Sequence, residues 1–229
     1  MTKEIVAFQG EKGAYSHLAC DEMFPKATIK TCATFEETFK MASEDENIKI
    51  MVPIENSLAG RVADIHYLLT KYKLQIYSEH FQNVEHNLLV KEGTELKDIK
   101  YVRSHVQAID QCQKIISKNK FKTIISADTA GSAKDLSTSN DKSIAAIASK
   151  LSAKIYNLKI LKSNIEDDTG NVTRFLIMGK KVNQPEKVKN KKYITSCIFR
   201  LKSIPAALYK CLGGFATNQV NLTKLESFS

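Results

Sequence analysis

Four short stretches of the chain gather side chains able to hold and protonate a small anionic molecule. In Asn171-Val-Thr173-Arg174-Phe175 an amide, a hydroxyl and a fixed cation stand beside an apolar run. Glu55-Asn56-Ser57 offers a carboxylate, an amide and a hydroxyl shortly before Gly60. Ser104-His105 leads to Gln107 and Gln111, whose i, i+4 spacing places both amides on one face of a helix. Thr129 and Ala130 lie in a fourth polar turn, Ser126–Ala133. Arginine grips a carboxylate through two parallel hydrogen bonds, where lysine offers a point charge. A threonine hydroxyl donates a proton or a hydrogen bond more naturally than it attacks carbon. No Ser-His-Asp spacing accompanies it, so the set points to orienting an anion and moving a proton.

Other chemistries find less support. The formal net charge of +9 comes from 34 basic residues, of which only Arg61, Arg103, Arg174 and Arg200 are arginines. Lysines dispersed along the whole chain make a solvated surface rather than a nucleic-acid footprint. Cys20, Cys32, Cys112, Cys197 and Cys211 are scattered without a C-x-x-C pair, and the five histidines form no helical ligand pair, so no metal site is expected. Gly10 and Gly13 in "QGEKGAYS" permit a tight turn, with Ser16 near a helix start as an anion-binding candidate, but they do not make G-x-G-x-x-G. Asn171-Val-Thr173 and Asn221-Leu-Thr223 are sequons only on a secreted route. Glu4, Glu11 and Lys12 break any signal-like run, and no stretch approaches the ~18 apolar residues of a span. A cytoplasmic protein without membrane contact is the expectation.

The elements that must position these residues alternate. Apolar β-branched runs at Ile5–Phe8, Thr28–Cys32, Ile48–Val52 and Leu74–Tyr77 are separated by helical patterns at Tyr15–Met23, Thr34–Ala42 and Val62–Tyr72. Thr34 and Glu37 read as a capping box. A second series has strands at Tyr101–Arg103, Lys122–Ile125 and Ser143–Ile147, with helices at Val106–Ser117, Ala130–Leu136 and Ala148–Ile155. The chain returns near Leu158 to the first series and ends it with a strand at Val172–Met178. The expectation is an α/β protein of two doubly wound, parallel-type lobes, 1–78 with 157–180 and 82–154, joined by two crossings around a cleft. Ligands in such sheets bind beyond the carboxyl ends of the strands, where the four motifs fall. The Lys-rich stretch 181–192 is a linker. Beyond it a strand at Tyr193–Leu201, a helix at Ile204–Ala216 and a strand at Val220–Phe228 are expected.

"GEKGAYS", "VPIENSLAG", "SHVQAIDQC", "DTAGSA" and "NVTRFLIMG", in this order between residues 8 and 179, resemble the motifs of the prephenate dehydratase family. "IPAALYKCLGGFATNQVNLTKLES", 204–227, resembles the start of the phenylalanine-binding ACT domain that follows it in that family. Ala206-Ala207-Leu208-Tyr209 stands where the family has Gly-Ala-Leu-Val, and Glu226-Ser227-Phe228-Ser229 where it has Glu-Ser-Arg-Pro. The resemblance implies a catalytic domain over 1–180 with a fold like type II periplasmic solute-binding proteins. It implies a partial ACT domain over 193–229, the βαβ half of a ferredoxin-like βαββαβ unit. The implied reaction is the decarboxylating dehydration of prephenate to phenylpyruvate, without a cofactor. Thr173, Asn56, Gln111 and Arg174 would be catalytic, with Thr173 donating the proton. Glu55, Ser57, Ser104, His105, Gln107, Thr129, Ala130, Asn171 and Phe175 would line or support the pocket. Ala207, Leu208, Asn221, Leu222 and Glu226 would meet the effector phenylalanine, whose feedback is expected to be absent or much reduced in this 229-residue form. A homodimer or homotetramer is implied. Arogenate dehydration is the nearest alternative, and a non-catalytic solute-binding module a distant one.

Overall fold

A computed structural model describes residues 4–181, 186 and 188–227. It divides into residues 1–184 and 185–229, each described by itself. The first unit holds two sheets, and this is the expected mixed α/β architecture. In the first lobe, β1 (Ile5–Gln9), β2 (Thr28–Cys32), β3 (Ile48–Asn56), β4 (Gly60–Arg61), β5 (Gln75–Asn83) and β11 (Val172–Gly179) form a sheet in the order β2-β1-β3-β11-β5, with β4 paired to β3. The Val6-Ala7-Phe8 and Ile50-Met51-Val52 runs are buried on both faces, as strands covered by helices must be. Period-2 alternation in β11 then assigns its side chains. Leu176 and Met178 meet Phe39 and Ala42 of α2 (Phe35–Glu44) and Ile65 and Leu68 of α3 (Ala63–Tyr72). Phe175 and Ile177 meet Ala19 and Cys20 of α1 (Tyr15–Met23) on the other face. Thr34 caps α2 by accepting from the Glu37 N–H at 3.1 Å, while the Glu37 carboxylate reaches back to the Ala33 N–H at 2.8 Å.

The second lobe orders β6 (Asn87–Val90), β7 (Tyr101–Ser104), β8 (Lys122–Ile125), β9 (Ile144–Ala148) and β10 (Lys159–Lys162) as β10-β6-β9-β7-β8. α4 (Val106–Asp110) and α5 (Gln113–Asn119) cover one face through Ile109, Cys112 and Ile116. α6 (Thr129–Thr138) and α7 (Lys150–Ile155) cover the other through Ala133, Leu136 and Ala153.

Three expectations need correction. The helix expected over Val106–Ser117 is broken: Cys112, between α4 and α5, leaves the helical region at φ −125°, ψ 28°. The lobe limits also move. β5 runs to Asn83 because β11 pairs with it over its whole length, and the return does not occur near Leu158, because β10 pairs antiparallel with β6 inside the second lobe. The chain crosses at Val84–His86 and again after Lys162. Finally, Tyr193–Leu201 and residues 220–227 are not strands. Within 185–229 the helix α8 (Ala207–Thr217) forms, carrying Ala207 and Leu208 in its first turn, while Asn221, Leu222 and Glu226 lie in irregular chain. An alternating pattern names the faces of a strand but supplies no hydrogen-bonding neighbour, and none pairs with either segment among the described residues. Phe228 and residues 182–185 and 187 of the linker lie outside the described residues. No helix among the described residues is long and apolar enough to cross a membrane.

Candidate active site

Asn56, at the end of β3, is the cross-strand partner of Thr173 near the start of β11. Its Oδ1 accepts from the backbone N–H groups of Leu58 (3.0 Å) and Ala59 (2.8 Å). The amide nitrogen is thereby aimed the other way, donating to Thr173 Oγ1 at 2.9 Å and Asn171 Oδ1 at 2.6 Å. Asn171 is 3% exposed, and its Nδ2 donates to Gln111 Oε1 at 2.7 Å, which joins the first lobe to the second. The helix break after Gln111 accompanies this contact. Two residues that sequence reasoning missed continue the line: His86 Nε2 lies 2.9 Å from the same Gln111 Oε1, and the Tyr15 hydroxyl lies 2.8 Å from His86 Nδ1. Their signal in the sequence is weak, a lone histidine before the apolar Leu88–Val90 run and a tyrosine opening a helix.

Among the described residues Thr173 and Arg174 share no side-chain hydrogen-bond partner. Arg174 Nε donates to Glu79 Oε2 at 2.8 Å and Nη1 to Glu55 Oε1 at 3.0 Å, with the guanidinium 5.9 Å from the Phe81 ring centre. Its register on β3 shifts between Arg174 and Phe175. Burial alone would lower the arginine pKa, but the two carboxylates raise it, so the charge is fixed. The cation expected to grip substrate therefore also ties β3 to β5 across β11.

Several other expected pocket residues are spent on structure. Ser104 is fully buried and its hydroxyl donates to the Ile147 carbonyl at 2.6 Å, fastening β7 to β9. Phe175 is 1% exposed in the core under α1, and Ala130 is fully buried in α6, so neither side chain faces a ligand. Ser57 straps the Thr173 segment, its Oγ donating to Gly170 O at 2.8 Å and accepting from Val172 N at 2.9 Å. His105 caps α4, with Nδ1 accepting from Gln107 N at 3.3 Å. Gln107 is exposed, and Thr129 opens α6 half-buried.

The turn "QGEKGAYS" fastens the two lobes to each other. The Gly13 carbonyl accepts from Ser149 Oγ (2.6 Å) and Ser152 Oγ (2.9 Å) of the second lobe, and the Tyr156 hydroxyl donates to Lys12 O at 2.9 Å. Lys134 pairs with Glu11 at 3.0 Å on the surface. Gly13 has φ +94°, which only glycine adopts freely.

Burial lowers the His86 pKa, against smaller opposing effects of the Gln111 hydrogen bond and Glu166. The folded ring therefore stays neutral where an unfolded one charges. Stability from this group is full above the unfolded imidazole value of about 6.5 and falls as pH drops from there toward the folded value. His17, lowered chiefly by burial, acts in the same direction. Denaturation midpoints measured from pH 7.5 to 5 are expected to fall, and His86→Gln to flatten that slope; an unchanged slope would show His86 to be solvated.

The fold and this polar line define a two-lobed α/β protein whose candidate site residues Asn56 and Thr173 lie at strand ends and connect through Asn171 to Gln111 of the second lobe. Residues 6–183 match the prephenate dehydratase family, and the chain belongs to it. That membership makes it a lyase of the dehydratase kind. It is 41% identical to a bifunctional N-acyl-homoserine lactone acylase/prephenate dehydratase of Komagataeibacter europaeus, over 99% of this chain and 80% of that protein. Prephenate dehydratase of Methanocaldococcus jannaschii is 39% identical over 94% of this chain and 79% of its own length. Arogenate dehydratase/prephenate dehydratase 2 of Arabidopsis thaliana is 38% identical over 97% of this chain, which spans only 58% of that protein. Among solved structures, prephenate dehydratase of Arthrobacter aurescens in complex with L-Phe superposes with a TM-score of 0.84 at 27% identity, covering 98% of this chain and 76% of that one.

Proposed function

We propose that the chain converts prephenate to phenylpyruvate, with Thr173 as the proton donor. The observation that carries this is the Asn56 amide donating to Thr173 Oγ1. That bond takes a lone pair of the oxygen and leaves its proton for a ligand; among the described residues no protein acceptor receives it. The Gln111 amide protons are likewise left over, because only its Oε1 is engaged. In the reaction the C–C bond to the ring carboxylate breaks and releases carbon dioxide. Its electron pair enters the ring, the C–O bond breaks, and the hydroxyl leaves as water with the Thr173 proton, which solvent then restores. A threonine hydroxyl is a weak acid, so orientation and the gain of aromaticity supply most of the acceleration. Gln111 holds substrate by its amide protons, and the His105–Gln107 turn and Thr129 at the mouth of α6 receive its carboxylates.

Phenylpyruvate formed from prephenate absorbs in the ultraviolet and L-phenylalanine formed from arogenate is separated by chromatography, so kcat/KM on each substrate measures the activity and its preference; turnover of neither would overturn the reading. With Arg174 already paired twice, Arg174→Lys is expected to lower the melting temperature and raise KM no more than about threefold. A tenfold rise in KM at unchanged stability would return Arg174 to the substrate. Absent or much reduced phenylalanine feedback, tested by assaying turnover with and without phenylalanine, assembly as a homodimer or homotetramer, tested by sedimentation, and a cytoplasmic setting belong to the same proposal.

A further inference from the structure

The hydrogen bonds of the site have a direction, and it can be read from one end. Backbone N–H groups only donate, so Leu58 and Ala59 fix the Asn56 oxygen and, with it, the side on which the amide nitrogen lies. The Asn171 atom facing Asn56 must then be its oxygen, and the atom facing Gln111 its nitrogen. Gln111 consequently presents Oε1, and this oxygen also faces His86 Nε2 at 2.9 Å. Two acceptors cannot bond, so Nε2 carries a hydrogen. In the neutral ring Nδ1 is then bare and requires a donor, which the Tyr15 hydroxyl supplies at 2.8 Å. The same hydroxyl lies 2.8 Å from the Glu85 carbonyl, an alternative acceptor beside the first.

We infer that Tyr15 and His86 are positioning residues of the reaction: they lock the Gln111 amide, and through Asn171 and Asn56 they set the direction of the Thr173 hydroxyl. Neither needs to touch substrate. His86 is 2% exposed, and its backbone is held on both sides, its N–H donating to Glu166 Oε2 at 2.8 Å and its carbonyl accepting from Ile165 N at 2.9 Å. The ring thus stands at the junction where the chain leaves and re-enters the first lobe. Without it Gln111 can rotate by half a turn, present its nitrogen to Asn171 Nδ2, and unfasten the amide line that ends on Thr173. Burial of Tyr15, with Cys112, Glu166 and Glu85 nearby, raises its pKa well above the ordinary phenol value and keeps it a donor.

The inference rests on the dehydratase reading for its kinetic part but not for its geometry, and the experiment separates the two. Nitrogen-15 NMR of histidine-labelled full-length protein near neutral pH reports the tautomer directly, with no turnover needed. His86 is expected as the Nε2–H form; an Nδ1–H form overturns the inference. His86→Gln keeps an N–H near the position of Nε2 and is expected to retain kcat within about threefold, while His86→Leu loses ~10- to 10²-fold in kcat with KM nearly unchanged. Tyr15→Phe, which removes one oxygen only, is expected to fall between them. A folded His86→Leu protein with wild-type kcat, or Gln and Leu variants equally impaired, overturns it. Should His86→Leu fail to fold, Tyr15→Phe and the tautomer decide. Wild-type protein turning over neither substrate overturns the dehydratase reading alone, and the tautomer still judges the geometry.

Discussion

Thr173→Ala is expected to lower kcat by ~10² to 10⁴-fold while the protein stays folded, the usual span for removing a general acid. The residue is partly exposed at the start of β11 and fills no core, so the loss falls on chemistry rather than packing. Among the described residues its one side-chain hydrogen bond is accepted from Asn56 Nδ2. Alanine leaves the second Asn56 amide proton bonded to Asn171 Oδ1 at 2.6 Å, so the asparagine stays held while the first proton turns to solvent. Thr173→Ser keeps the hydroxyl and is expected to retain far more activity, losing only the rotamer restriction of the β-branched side chain. Single-turnover formation of phenylpyruvate distinguishes these outcomes from altered product release. Near-normal turnover by the alanine variant would remove Thr173 from the reaction.

Gly13→Ala carries the largest expected effect on stability. A Cβ there would lie 2.5 Å from Ser152 Oγ and 2.9 Å from Ser152 Cα, and the backbone already sits at φ +94°. The hydroxyl can rotate away; the Cα cannot without moving α7 and, with it, the second lobe. Left-handed strain and overpacking together are expected to remove about 2–4 kcal/mol. Since Gly13 O also receives two serine hydroxyls, displacement opens buried donors to loss. Activity is expected to fall at least tenfold, because Gln111 and Asn171 come from opposite lobes. Adding Ser152→Ala relieves the closer contact but not the Cα one, so a double-mutant cycle is expected to show partial rescue. Chemical denaturation equal to wild type would mean that the lobes are not held here.

What could be read beforehand was whatever depends on neighbours in the chain. β2, β8 and α1 fall on the expected residues because β-branched runs and an apolar helical face are local patterns. The strand-end location of Asn56 and Thr173 follows from the same reading. The use made of each polar side chain did not, since it depends on partners far away in sequence. Ser104 is consumed by Ile147, 43 residues on, and Ser57 by Gly170, 113 residues on. Arg174 finds Glu79 only because β5 extends past Tyr77 to flank β11. His86 was silent for the opposite reason: a buried histidine beside an apolar run reads as core until its ring partners, from α1 and the end of α4, are known.

The position of β11 fixes the order in which the molecule can be completed. The second lobe is one continuous stretch whose sheet closes once β10 is made at Lys162. The first lobe must wait, because β11 is inserted between β3 and β5, and among the described residues β5 pairs with no other strand. During synthesis, which proceeds from the N-terminus, β3 therefore keeps an open edge and β5 stays unpaired for about ninety residues of chain growth. The strand that brings Thr173 is thus the last of the first lobe to lock, and the nascent chain gains its proposed proton donor in the same step that seals that sheet.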